Sequence, residues 1–357
     1  MLYTEIAMHI KHNVSLAPYT SFNVGGPAEN FVLAQNTEEL LEVIRNTAIH
    51  PIWLLGYGSN TLISDSGLPG LTIVLRGGAI VVDDTNIIAD AGVWWDDVVR
   101  TAIDNNLWGI ELLSQVPGSF GAAIFINITA YGQSVGPLLN WVEVWDPTTQ
   151  AVRRIEKSTM SWDYKTSIFQ QTLNQQLIIL RASIALSAKK TDELEYQKAL
   201  DVAQELNLNS SDLRSRREII IEARKRAGSL WSPNSKDAAK TVGSFFRNPL
   251  VSEQQADMVM NFDESGKTRS EILRMNTVHG GNHKRVSAAH VMLAAGFHRG
   301  QTWNHVKLND HNLLKIEALE GATAQELYNV AQKIKTDCQE KLGIALEPEA
   351  RILGEFA

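Results

Sequence analysis

The chain has 357 residues, 44% of them apolar and 20% charged, which suits two or three packed domains and excludes a disordered chain. Its 33 basic and 40 acidic residues leave a net charge of −7, which argues against general nucleic-acid binding. No run approaches the roughly 18 apolar residues of a membrane span, the single Cys338 allows no internal disulfide, and Glu5 and His9 interrupt the apolar N-terminal stretch, unlike a secretory signal. A cytoplasmic protein without membrane insertion is expected.

In chain order, Glu38–Ile44 has helical spacing, and Ile52–Leu55 reads as a strand running into a glycine turn, Gly56-Tyr57-Gly58-Ser59-Asn60. Leu71–Leu75, Ala79–Val82 and Ile87–Ala91 read as strands, and Trp95–Ile103 as a helix. Two further small-residue loops follow: Val116-Pro117-Gly118-Ser119-Phe120-Gly121-Ala122, then Asn127-Ile128-Thr129-Ala130-Tyr131-Gly132. Leu177–Leu186 is long enough to be a strand closing this region. Residues 188–240 turn polar and helical, with a basic run that includes Arg214, Arg216, Arg217, Arg224, Lys225 and Arg226. Charge runs usually form a solvated helix face. Ala324–Lys341 is the clearest helix, placing Leu327, Val330, Ala331, Ile334 and Cys338 on one face and predicting a buried, structural thiol. Ile344–Leu353 reads as a final strand interrupted at Pro348. The expected division is 1–187, 188–240 and 241–357.

Glycine turns bring backbone N–H groups close to a ligand and can form an anion-binding nest. Each of the three loops could equally be a tight turn without a ligand. The first lacks the third glycine and following helix of a G-x-G-x-x-G dinucleotide site. Together the three suit one extended ligand carrying a pyrophosphate. His279 and His283 are four apart, but Gly280 and Gly281 between them disfavour a helical metal pair, so no metal is expected.

Seven motifs occur in order: Tyr19-Thr-Ser-Phe-Asn-Val-Gly-Gly-Pro-Ala28, Gly56–Asn60, Val116–Ala122, Asn127–Gly132, Tyr164-Lys165-Thr166-Ser167-Ile168-Phe169, Gly243-Ser244-Phe245-Phe246-Arg247-Asn248-Pro249 and Leu346-Glu347-Pro348-Glu349-Ala350-Arg351. From about residue 17 to 354 the chain resembles the UDP-N-acetylenolpyruvoylglucosamine reductases, and Leu194-Glu195-Tyr196 is similar to the substrate-closing loop of the family's longer type. The resemblance implies an α+β chain: an FAD-binding domain of the vanillyl-alcohol-oxidase (PCMH) type followed by a smaller α+β substrate domain. It implies non-covalent FAD, NADPH as co-substrate and a UDP-sugar carrying an enolpyruvyl ether. FAD would be held by Gly56, Tyr57, Gly58, Ser59 and Asn60, by Pro117, Gly118, Ser119, Gly121 and Ala122, and by Asn127, Ala130, Tyr131 and Gly132. Substrate would be held by Tyr164, Tyr196, Arg224 and Asn248.

Hydride addition to the enolpyruvyl β-carbon builds negative charge on the neighbouring carboxylate. The reaction therefore needs electrophilic groups there and a proton donor at the α-carbon. The resemblance assigns the donor to Ser244 and a catalytic carboxyl to Glu349. It departs from the family at Lys165, where the family has arginine and its bidentate fork, at Thr129, where the family has glycine, and at Ala227, which matches a family lysine that Lys225 or Arg226 could replace. An FAD-dependent alcohol or sugar oxidase would share the loops but has no reason to carry Gly243–Phe246 or Glu347–Glu349. A flavin- or UDP-sugar-binding protein that has lost turnover would be consistent with Lys165 and Ala227.

Overall fold

The computed structural model describes residues 10–171, 174, 176–233, 235, 238–263, 269–270 and 284–357. They fall into two compact units that are not consecutive in sequence. The first takes the chain up to Val14, Ala28–Tyr57 and Pro69–Ala238; the second takes Ser15–Pro27, Gly58–Leu68 and Ala239–Ala357. The polar stretch after residue 187 is thus part of the first unit rather than a separate connector, and two short segments that precede residue 69 belong with the C-terminal half.

The first unit carries two sheets. In one, Lys11–Ser15, Pro27–Ala34, Leu68–Leu75 and Ile52–Leu55 lie in that order. Ile52–Leu55 runs parallel to Leu68–Leu75, pairing Ile52 with Leu71 and Leu55 with Val74. Leu71, Thr72, Ile73 and Val74 are all fully buried, which explains a largely apolar run where a half-exposed strand would alternate. The other sheet is antiparallel, in the order Ala151–Glu156, Leu139–Asp146, Ile178–Ala185, Asn86–Asp90, Ile80–Asp83. Helix Thr37–Asn46 begins where Asn36 accepts from the Glu39 amide. Helix Trp95–Asp104 buries Trp95, Val98, Val99, Ala102 and Ile103, the face its three-to-four spacing predicts. Helices Gln197–Glu205 and Leu213–Arg226 pack on this unit through Leu112, Leu194, Ala199, Val202, Ile219 and Ile220.

In the second unit, strands Thr302–Trp303, Val306–Leu308 and Ile316–Ala318 pair antiparallel beside helix Ala324–Leu342. That helix starts in a capping box of Thr323 and Glu326 and ends at Gly343, whose φ of 66° suits glycine. Cys338 is fully buried as expected, and burial pushes its thiol up to about 12. The regular final strand is only Arg351–Leu353, shorter than the sequence suggested, and lies parallel to Thr61–Ile63.

Candidate active site

In the first unit, strand Ile52–Leu55 delivers Gly56 against the second small-residue loop. A Cβ on Gly56 would stand 2.7 Å from Ser119 Oγ, so a side chain here would displace that hydroxyl from the second loop. The second loop is clamped from both sides: the Trp95 amide donates to Gly118 O (2.9 Å), Phe120 to Val93 O (2.8 Å) and Gly121 to Ala91 O (2.9 Å). Ser119 then caps helix Phe120–Phe125 by accepting from the Ala122 amide. Half-buried Tyr57 stands edge-on to Trp94 at 4.6 Å with the Arg76 guanidinium 4.9 Å over its ring, and burial raises its phenol above the ordinary value.

The third loop is a hairpin, Thr129–Ala130 against Gln133–Ser134, whose tip residues Tyr131 and Gly132 have φ of 52° and 93°. Gly132 is open, with nothing within 4 Å of a built Cβ. Asn127, expected to give the ligand a side-chain donor, is 3% exposed. Its amide instead accepts from Gly136 N (2.8 Å) and donates to Asp163 O (2.8 Å), so its side chain fixes the loop. The second of these bonds ties the loop to the turn at Tyr164 and Lys165, between strands Trp162–Asp163 and Thr166–Ser167. Lys165 occupies the left-handed region there, with φ of 54°. Gln170 Nε2 bonds both Lys165 O (3.2 Å) and Phe125 O (3.0 Å).

Residues assigned to cofactor and to substrate meet in this unit. Tyr131 lies edge-on to Tyr196 at 5.1 Å. The Tyr131 hydroxyl is also a hydrogen-bonding partner of Arg224, whose guanidinium burial pushes below its usual range. Arg224 Nη2 also donates to Ser229 O at 2.8 Å. The basic helix Leu213–Arg226 is therefore not simply a solvated face. Arg216 Nη1 meets Glu111 Oε1 at 2.9 Å with both side chains fully buried, and Arg217 grips Asp96 through two bonds of 2.7 and 2.6 Å. Lys225 and Arg226, the suggested replacements for a lysine at Ala227, do point outward. Lys225 is near Glu222 (3.7 Å), and Arg226 binds Glu205 (2.5 Å) and Glu222 (3.0 Å). Ala227 is the C-cap of the same helix.

The second unit brings together Ser244, Glu349 and the far side of the glycine turn. The chain around Phe246 runs antiparallel to that around Pro348, with the Glu349 amide donating to Phe245 O (2.7 Å) and the Arg247 amide to Glu347 O (2.9 Å). Asn60 joins this arrangement, its side-chain amide donating to Glu349 O (3.2 Å) while its carbonyl accepts from the Arg351 amide (2.9 Å). Gly58 is buried with φ of 61°, and a Cβ there would lie 2.0 Å from Tyr19 O, so this glycine is demanded by packing alone. Phe245 and Phe246 are buried at 0% and 1% exposure, whereas Ser244 and Glu349 remain partly accessible. Asn248 accepts from the Ala288 amide (3.0 Å), and its carbonyl accepts from Arg285 (2.7 Å). His279 and His283 lie outside the described residues, among which no cluster of three potential metal ligands occurs.

Residues 28–153 match the family model described as an FAD binding domain, and residues 233–353 match that of the UDP-N-acetylenolpyruvoylglucosamine reductase C-terminal domain. Over nearly its whole length the chain is similar to the UDP-N-acetylenolpyruvoylglucosamine reductases. It is similar to the reductase of Thermobifida fusca, at 29% identity over 96% of this chain and 97% of that one. It is likewise similar to that of Mycobacterium leprae, at 28% identity over 97% and 96%. The crystal structure of the Thermus caldophilus reductase shares the fold, with a TM-score of 0.66 over 97% of this chain and 100% of that one at 23% identity.

The α+β class and the FAD-binding domain are as the sequence led us to expect. The residues of the first unit fit a flavin nucleotide: the hairpin tip at Gly132 opens onto space that a Cβ would not fill. The basic helix and the acidic pair Asp96 and Glu111 were not recognised from sequence as partners. Their signal was present, since Arg216, Ile220 and Arg224 recur every four residues on one face, and Glu111 interrupts an otherwise apolar run.

Proposed function

We propose that this chain is an FAD-dependent reductase that uses NADPH to convert UDP-N-acetylglucosamine enolpyruvate to UDP-N-acetylmuramate, a cytoplasmic step in peptidoglycan precursor synthesis. The observation that carries the reading is the pairing of Ser244's segment with Glu349's segment, locked by Phe245 O accepting from the Glu349 amide at 2.7 Å, in a chain with both family domains. An oxidase of the same flavin fold would not need that pair.

When bound, FAD supplies a two-electron carrier that takes hydride from NADPH and delivers it to the substrate's β-carbon. Gly56, Ser119 and the Tyr131–Gly132 tip would hold it. Ser244 gives its hydroxyl proton to the α-carbon; Glu349 is the carboxyl beside the reacting group, and Lys165 is a point charge for the substrate carboxylate. Tyr196 belongs to a closing loop of the longer type, and Arg224 orients Tyr131 behind it. Buried Phe245 and Phe246 keep water from the serine's backbone side.

Anaerobic stopped-flow spectroscopy tests this reading. NADPH should bleach the yellow holoenzyme, and UDP-N-acetylglucosamine enolpyruvate should restore its colour. Bleached protein that reoxidises only with oxygen would sink the reductase reading in favour of an oxidase or a binding protein.

A further inference from the structure

Lys315 stands in the second unit with 2% of its surface exposed. Lysine is almost never buried to this extent unless its charge is used or matched. Its backbone forms an antiparallel bridge with Ser244. The Phe245 amide donates to Leu314 O at 2.8 Å, one position beyond the bridge on each strand. Ser244 and Lys315 are therefore the non-hydrogen-bonded kind of antiparallel pair, the closer kind, with Cα atoms about 4.5 Å apart and both side chains on one face. Two backbone bonds fix Lys315 in this register: Asn309 N to Lys315 O and Lys315 N to Asn312 O, each 3.0 Å. Glu317, two residues along, falls on the same face as Lys315 and is 9% exposed; its carboxylate accepts from Asn309.

We propose that Lys315 is the cation that serves Ser244 during reduction of the enolpyruvyl ether. The proposal rests on Ser244 being the proton donor of that reaction. A serine hydroxyl is a weak acid, and giving up its proton leaves an alkoxide. The Lys315 ammonium, held opposite by the backbone bridge, is the group that passes one proton to Ser244 Oγ as Oγ passes its own to the α-carbon. Hydride arrives at the β-carbon, the carbon–carbon double bond becomes single, and Ser244 ends neutral. Lys315 is left as a neutral amine that regains its proton from solvent. One hydride and one solvent proton are consumed, so charge and atoms balance. This places positive charge beside the donor on a strand of the second unit, whereas Ala227 has no charge and Lys225 and Arg226 face glutamates on the basic helix.

The experiment compares the two half-reactions of the holoenzyme in wild type, Ser244→Ala, Lys315→Met and Lys315→Arg. Lys315→Met should bleach with NADPH within about twofold of wild type, yet reoxidise with the enolpyruvyl substrate about 10²-fold slower. Its half-saturating substrate concentration should change far less than its rate. Lys315→Arg should recover part of the loss, since it keeps the charge. Wild-type protein adds a measurement free of folding effects: in mixtures of light and heavy water, its reoxidation rate should bow with isotope fraction, because two protons move in one step. A linear plot, or Lys315→Met reoxidising at the wild-type rate, overturns the proposal while leaving the reductase reading intact. Wild type that the enolpyruvyl substrate cannot reoxidise overturns the reductase reading itself.

Discussion

The buried pair of Arg216 and Glu111 gives a stability prediction that follows from geometry alone. Both side chains are fully buried, and the contact is 2.9 Å. The arginine also donates to Ser210 O and Asp192 O, each at 2.7 Å, and Glu111 Oε2 accepts from the Gly109 amide at 2.9 Å. Arg216→Met fills much of the same volume but leaves a carboxylate in an apolar setting together with two carbonyls lacking their donor. Breaking one side of a buried pair typically costs about 3–5 kcal/mol, because the remaining charge stays desolvated. At about 2–4 °C per kcal/mol for a unit of this size, the first unit should melt about 6–20 °C lower. The pair itself need contribute little net stability, so Glu111→Gln with Arg216→Met should be more stable than Arg216→Met alone. Urea unfolding followed by tryptophan fluorescence, on all three variants and wild type, measures this. Because the chain has two units, the earlier transition is the one to compare. A loss below about 1 kcal/mol in Arg216→Met would refute the reasoning, for that is the scale of an exposed pair.

Further expectations follow from the site. Gly56→Val should give folded protein with little bound flavin, read as the ratio of visible to protein absorbance, whereas Gly58→Val should misfold because its Cβ would strike the Tyr19 carbonyl; folded, flavin-free Gly58→Val would reverse this division. Ser244→Ala should bleach normally with NADPH and lose about 10²–10⁴-fold in reoxidation by substrate; a selective loss in bleaching would move the serine to coenzyme binding. Lys165→Arg should retain activity, while Lys165→Ala should lose about 2–4 kcal/mol of transition-state stabilisation, checked by kcat/KM. Cys338, with its thiol near 12, holds almost no thiolate at pH 8, so iodoacetamide should label it only as fast as the native protein unfolds; rapid labelling under native conditions would contradict its burial.

Much of the fold was legible because burial and periodicity coincide. The run Leu71–Leu75 is apolar but for the buried Thr72 because both faces of its strand are covered, and Trp95–Ile103 repeats every three to four residues because one helix face is. What stayed hidden was the non-consecutive assembly. Nothing local in Ser15–Pro27 or Gly58–Leu68 marks them as partners of the C-terminal half. Their membership comes from long-range bonds, such as the Ala324 and Gln325 amides donating to Asp65 at 2.9 and 2.8 Å. Those contacts depend on which segments meet, and sequence periodicity does not report that.

The same limit explains the misread charges. A run of arginines looks solvated when each is weighed by its own hydration, and Lys225 and Arg226 behave that way. Arg216, Arg217 and Arg224 sit on the inward side of the same helix, where Glu111, Asp96 and Tyr131 await them from segments about 90 to 120 residues earlier. Burial becomes tolerable only once those partners exist. Lys315 follows the same logic on a shorter path. Read alone within Leu313-Leu314-Lys315-Ile316, it interrupts an apolar strand; across a backbone bridge it stands opposite Ser244, the proposed proton donor. Functional cations in this chain are therefore found by asking what lies opposite a buried charge, and Lys315 is the one whose opposite number is the proposed proton donor.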